Sequence, residues 1–291
     1  ATPAPGGPGP PPAPGLPGPG PAAHARGRVT VQTLHEVTDV ERGADGRWIV
    51  HVNRIDTAGT VLENKIITTG TLIMAAGSLN TTRLLVRAAA TGRIPDLPDG
   101  LGQGWGTNAD RIYVWRSPAE DFGAAQGGPV VYGSLNWDDP NSAHTVIHAS
   151  IPPLPVDSSG TMMVGYGVSA GRGGFVYDSA ADDAILHWPS DGDADIQDNH
   201  IGPTVQRIAG PGTALIDTNA LFPSTWHPLG GACMGTVCDL AGRVHGQRGL
   251  YVLDGALMPG NTAACNPSMT IAAVAERALD HIVARDIGTV I

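Results

Sequence analysis

Leu250–Asp254 (LYVLD), Asn266-Pro267 and Ser268–Arg285 (SMTIAAVAERALDHIVAR) are the stretch from which the fold is read. The first five residues form a short apolar run ending in Asp254-Gly255, the pattern of a buried strand stopped by a turn. Asn266 is a good helix N-cap, and proline is favoured at the first helical position. Ile271, Val274, Ala275, Ala278, Leu279 and Ile282 then recur at helical spacing. They predict a helix through Arg285 with one buried stripe.

A second strand–glycine–helix unit stands upstream. Thr71–Ala76 (TLIMAA) reads as a strand of a parallel sheet, buried on both faces. Gly77-Ser78 ends it, and Leu84, Leu85 and Ala88 mark a helix over about 80–90 that stops at Gly92. Before it, residues 28–35, 47–53 and 61–68 alternate as three strands of a small antiparallel meander, with turns at 44–46 and 57–59. Residues 93–109 read as loop. From 111 to 225 short strand-like runs (111–115, 145–151, 161–169, 174–177, 185–188) alternate with turn clusters, which predicts a mainly antiparallel sheet, with a short helix near 205–208.

Composition removes several classes. Gly (40) and Pro (25) exceed a fifth of the 291 residues, and residues 1–21 hold 10 Pro and 6 Gly. That stretch has one leucine and no aromatic residue, so it offers no core, and glycine does not recur every third position as collagen requires. A net charge of −10 without any Lys/Arg run argues against nucleic acid as a partner. No apolar run reaches the roughly 18 to 20 residues of a membrane span. A soluble chain is expected, with its compartment left open. Three cysteines exclude a dense disulfide framework. His227-x5-Cys233-x4-Cys238, with Cys265 downstream, fits no common zinc spacing, so no metal site is expected. No G-x-S-x-G elbow is present, which leaves a lipase-type hydrolase without support.

The densest group of chemistry-bearing residues is Trp226–Gly231 (WHPLGG), followed by Leu250–Gly260 (LYVLDGALMPG) and Cys265–Ile271 (CNPSMTI). Here the sequence resembles the glucose–methanol–choline (GMC) family of flavin oxidoreductases, and within it the cholesterol oxidase branch. GRVTVQTLHEV (27–37), AAGSLNTTRLLVRAAATGRIPDL (75–97), GWGTN (104–108) and GGFVYD (173–178) follow the same family order. The resemblance covers about residues 27–288. It implies an α/β fold: a Rossmann-like FAD/NAD(P)-binding domain from 27–110 and 227–291, with a mainly antiparallel α+β substrate domain inserted at 111–226. A complete G-x-G-x-x-G fingerprint, whose glycines let backbone approach a pyrophosphate, is not found, so the dinucleotide domain reads as incomplete.

The resemblance implies FAD as cofactor, a sterol-like secondary alcohol as substrate and dioxygen as acceptor. It makes His227 the residue that binds or deprotonates the alcohol and Asn266 the residue that positions it. An imidazole with a near-neutral pKa suits that task. Asn266 and Pro267 at a helix N-terminus, Asp254 and Gly255 at the strand end, Gly77, Asn108 and Val37 are implied as cofactor contacts. Two positions depart from the branch. Ser150 stands where the branch carries the glutamate base of steroid isomerisation, and serine is no base near pH 7. His148, two residues earlier, would face the same side of a strand as an alternative base. Ser268 replaces a bulky aromatic. The rival expectation is a non-catalytic, truncated fragment unable to hold FAD, with residues 1–21 as an artefactual or truncated edge of the chain.

Overall fold

The computed structural model describes residues 29–291 except 121, 123–125, 127–131, 152–159, 190 and 221–223. The Pro/Gly-rich stretch and Pro152-Pro153 of the isomerase comparison lie outside these residues. The chain forms two compact units. One comprises residues up to Val37 together with Val52–Lys65; the other comprises Thr38–His51 and Ile66–Ile291.

Strands β1 (His35–Arg42), β2 (Trp48–Ile55) and β3 (Val61–Thr69) form a three-stranded sheet in that order. Within the first unit, Asp56 Oδ1 accepts from the amides of Ala58 (2.9 Å) and Thr60 (2.8 Å), which closes the turn expected at 57–59. The first strand was expected at 28–35 and starts instead at His35; Val29 and Val31 are exposed. In the second unit, the Arg42 guanidinium covers the buried Trp48 ring at 4.4 Å and donates to the Arg248 carbonyl at 2.8 Å.

The parallel pair is present. β4 (Leu72–Met74) runs beside β13 (Leu250–Val252), with Tyr251 opposite Ile73. Helix α1 (Gly77–Ala90) follows β4 and stops before Gly92. Two expectations change here. β4 is buried on one face only, because Met74 is covered while Ile73 is 44% exposed. The last helix, α4 (Ser268–Arg285), has the expected length, yet only Ala278 and Ile282 of its stripe are buried and Leu279 is exposed. The elements packed on this helix cover only part of its apolar face. Its C-terminal end is held firmly. Arg243 Nε donates to Asp286 Oδ2 at 2.8 Å, and the buried Tyr251 hydroxyl donates to the same oxygen at 2.7 Å.

The middle of the chain is mainly antiparallel, as its alternation predicts. β6 (Arg111–Arg116), β7 (Gly133–Asn136), β8 (His144–Ala149), β9 (Thr161–Gly167) and β12 (Ala214–Asp217) form one sheet in the order β12-β6-β9-β8-β7. Tyr113, Val146 and Met163 point to one face. There they meet a continuous helical segment: α2 (Ala194–Ile196), a π-helical turn (Gln197–Ile201) and α3 (Gly202–Ala209). Ile112, Ala149, Val164 and Tyr166 form the opposite face. A smaller antiparallel sheet, β11-β10-β5, joins β5 (Gln103–Trp105) to β10 (Gly173–Asp178) and β11 (Asp183–His187). Trp105, Phe175 and Ala184 pack there with Val86 of α1. β5, β7 and β12 were not read from the sequence, and the helix near 205–208 is longer than expected. The result is a mixed α/β chain with mainly antiparallel sheets.

The Arg243–Asp286–Tyr251 group carries a pH dependence. The Arg243 guanidinium holds the Asp286 carboxyl below the usual carboxylate range, against the opposing effect of burial. A carboxylate with a depressed folded pKa contributes stability above its unfolded value and loses it as pH falls through the folded value. Thermal melting of wild type and Asp286→Asn from pH 7 to pH 3 should therefore show a wild-type advantage of about 1 kcal/mol at neutrality that shrinks with acid. A gap that stays constant with pH excludes this role.

Candidate active site

The segment between β5 and β6, Gly106-Thr107-Asn108-Ala109-Asp110, runs through the interior and grips three other segments. Gly106 pairs with Leu229 of the WHPLGG run in both directions: its amide donates to the Leu229 carbonyl (2.8 Å) and its carbonyl accepts the Leu229 amide (3.0 Å). A Cβ on Gly106 would fall 2.3 Å from the Gly260 carbonyl oxygen, so the closeness of these backbones depends on glycine. Thr107 Oγ1 donates to Asp193 Oδ2 at 2.8 Å, in front of α2. Burial pushes the Asp193 carboxyl up, and its bonds from Ser169 and Thr107 pull the other way.

Asn108 is fully buried and bonded on both sides of its amide. Nδ2 donates to Thr262 Oγ1 (3.0 Å) and the Cys265 carbonyl (2.9 Å), and Oδ1 accepts the Thr262 amide (2.9 Å). It therefore fixes the backbone immediately before Asn266. Asn266 itself is exposed at the start of α4. Its Oδ1 accepts the Ser268 amide at 3.0 Å and the Ser268 hydroxyl at 2.7 Å, but the helix starts at Ser268 with Pro267 at the N-cap, one residue later than the sequence predicts. Pro267 is buried.

Asp110, which sequence reading passed over, is the partner of His227. Its Oδ2 accepts the Thr225 hydroxyl and the amides of Trp226 (3.2 Å) and His227 (3.3 Å). Its Oδ1 lies 2.6 Å from His227 Nδ1, an oblique contact in which neither buried atom has another partner. The Asp110 side chain is wholly buried and that of His227 is 6% exposed. His227 Nε2 has no hydrogen-bond partner among the described residues. Tyr166 of β9 meets the imidazole edge-on, with ring centroids 5.2 Å apart. Burial pushes the Tyr166 hydroxyl up, and the nearby Cys265 and Asp110 add to the effect. Tyr166 was also not read from sequence. Strand alternation gives its face but not its neighbour.

Asp254 is committed to the fold. Oδ2 accepts the Gly77 amide (2.9 Å) and the Thr81 hydroxyl (2.5 Å), and Oδ1 accepts the Ala256 amide (2.8 Å). Burial raises its carboxyl while these donors lower it. Asp254 thus ties the end of β13 to the start of α1. Gly255 is buried, and its carbonyl accepts the Gly230 amide at 2.9 Å. Gly77 adopts φ +82° with open space where a side chain would stand. Val37 lies exposed on β1, in the other unit. His148 is engaged elsewhere, since its Nε2 lies 2.7 Å from Thr161 Oγ1. Cys233 and Cys238 are buried free thiols, pushed up by burial; Cys265 is free and exposed.

Beside the Asp110–His227 pair is a cavity of about 790 Å³. Leu79, Trp105, Leu186 and Trp188 give it an apolar wall, and Asp110, Arg111, Asp193, Asp198 and Thr225 line it with polar groups. Its size falls within the range of small-molecule sites.

Residues 194–275 match the family model of the GMC oxidoreductases, so the His227 loop, the β13 turn and the start of α4 all lie inside that match. A cholesterol oxidase from Acinetobacter baumannii is 27% identical over 271 residues, covering 74% of this chain and 47% of that protein. The chain thus spans about half the length of this curated relative. An FAD-dependent oxidoreductase from Chaetomium thermophilum has a similar structure, with a TM-score of 0.57 and 16% identity over 90% of this chain and 63% of that one. A fungal aryl-alcohol oxidase gives the same TM-score at 17% identity, over 87% of this chain and 61% of its own. The mixed α/β fold is therefore similar to that of GMC-type FAD-dependent oxidoreductases. No helix among the described residues is long and apolar enough to cross a membrane.

Asn108→Ala removes three buried bonds at once. It should lower stability by roughly 2 to 4 kcal/mol, read as a shifted urea midpoint at unchanged slope. A shift below about 0.5 kcal/mol, the usual scale of surface substitutions, rules out this anchoring role.

Proposed function

We propose that this chain carries the substrate-facing and C-terminal flavin-binding parts of an FAD-dependent oxidoreductase acting on the CH–OH group of an apolar secondary alcohol. The observation that carries the reading is His227: a buried imidazole inside the GMC match, with Nδ1 against a carboxylate and Nε2 unbonded among the described residues. Residues 27–110 and 227–291 would form the flavin part and 111–226 the substrate part.

The residues fit a flavin. α4 starts without an acidic side chain in its first turn, so its positive end is open to an electron-rich group, whereas at α1 the Asp254 carboxylate already takes the Gly77 amide. The left-handed Gly77 leaves room in front of α1. The space at Gly77, the Gly255 backbone and the Asn266-Pro267 start of α4 would hold it, with Asp254 and Asn108 positioning those segments. Bound FAD supplies a two-electron acceptor for hydride. The chain's own part is proton handling and orientation. His227 Nε2 would accept the alcohol O–H proton, and Asn266 would orient the hydroxyl. The likeness to the Acinetobacter cholesterol oxidase supports a sterol-like substrate and dioxygen as final acceptor, and the wall of Leu79, Trp105, Leu186 and Trp188 in a cavity otherwise lined mainly by polar groups supports a hydrocarbon body. With Ser150 at the glutamate position and His148 bonded to Thr161, the reading is oxidation without isomerisation.

A second reading has its own observation. Ile73 of β4, Leu79 of α1 and Leu279 and Val283 of α4 are all more than 40% exposed, apolar surface on the elements of the proposed flavin part. In that reading the isolated chain cannot retain FAD. Titration with FAD separates the two: stoichiometric yellow protein absorbing near about 450 nm supports the enzyme, and a chain that stays colourless supports the fragment. In the yellow protein, anaerobic alcohol should bleach the flavin in wild type and not in His227→Ala. Bleaching at the wild-type rate in His227→Ala overturns the catalytic assignment.

A further inference from the structure

We propose that Asp110 is a positioning residue that sets the tautomer of His227, placing the ring proton on Nδ1 and leaving Nε2 as the base. This inference rests on the alcohol-oxidising role of His227 given above.

The two carboxylate oxygens of Asp110 do different work. Oδ2 serves the loop, accepting the Thr225 hydroxyl and two successive amides at 226 and 227. Oδ1 faces only His227 Nδ1, at 2.6 Å. Both atoms are buried and neither has another partner, so an unprotonated Nδ1 would set a lone pair against a carboxylate oxygen in a water-poor site. A proton on Nδ1 removes that repulsion. The neutral ring then has its lone pair on Nε2, the nitrogen that nothing in the described structure occupies. Edge-on packing of Tyr166 holds the ring plane, so the ring cannot exchange its nitrogens freely. When the alcohol O–H bond breaks, its proton would bond to Nε2, with bound FAD supplying the acceptor for the hydride of the C–H bond. The Asp110 Oδ1 then faces the imidazolium that results.

The division of labour between the oxygens gives a clean variant. In Asp110→Asn the amide oxygen can keep all three loop bonds at the Oδ2 position. The NH2 group then replaces Oδ1 and donates to Nδ1, which forces the ring proton to Nε2. Nitrogen-15 NMR of histidine-labelled protein, at a pH where the ring is neutral, reads this directly and needs no bound FAD. Wild type should show a protonated Nδ1 and an unprotonated Nε2, and Asp110→Asn the reverse, with an unchanged melting temperature. In FAD-loaded protein the same variant should slow alcohol-dependent bleaching about a thousandfold or more. Half-saturating alcohol should change little, because the lost interaction acts in the transition state.

A wild-type His227 protonated on Nε2 overturns the proposal, and that measurement stands even if the variant does not fold. So does an unchanged tautomer in Asp110→Asn, or bleaching at the wild-type rate in that variant while His227→Ala is inactive. Bleaching that survives in His227→Ala fails the underlying reading instead.

Discussion

The structure depends on the way Gly106–Asp110 is threaded between backbones. Its two-way pairing with Leu229 brings the His227 loop against it, and its contact with Gly260 leaves no room for a side chain. From that fixed line Asn108 reaches Thr262 and Cys265, and Asp110 reaches Thr225, Trp226 and His227. Side chains two residues apart thus hold the segments that carry Asn266 and His227. Ala109, between them, sits in the left-handed region at φ 56°, a conformation that costs a non-glycine residue about 1 kcal/mol or more. The bonds on either side offset that strain, as strained backbone near functional sites requires.

The surrounding elements follow from this line. β6 starts at Arg111, directly after it, and carries the sheet whose Tyr166 meets the imidazole. Asp254 secures the opposite side by bonding the start of α1 to the end of β13. A carboxylate expected to contact cofactor therefore has both oxygens occupied by the protein, and the flavin reading draws instead on helix starts and backbone. Arg243, Tyr251 and Asp286 hold the far end of α4, so the helix is anchored at its C-terminus while its Asn266 end stays accessible.

Much of this was legible in the sequence where the signal is local. Asn266-Pro267 announces a helix start, LYVLD a strand and WHPLGG a loop. The antiparallel texture of the middle is written in its alternation. Asp110 was not legible, because its meaning lies in a partner 117 residues away and nothing adjacent marks it. β5, β7 and β12 have three or four residues each and take their strand form from pairing, not propensity. The half-covered stripe of α4 shows the opposite limit. Periodicity shows which face a helix would bury, and the neighbouring elements decide how much of it is covered.

Amide hydrogen exchange on Gly106→Ala tests the threading most directly. An added methyl must displace Gly260 and disturb the Leu229 pairing, so protection at 227–230 and at 262–266 should fall together while α3 stays protected. Loss confined to one of the two loops, or no loss in either, contradicts a single line that holds both active-site segments.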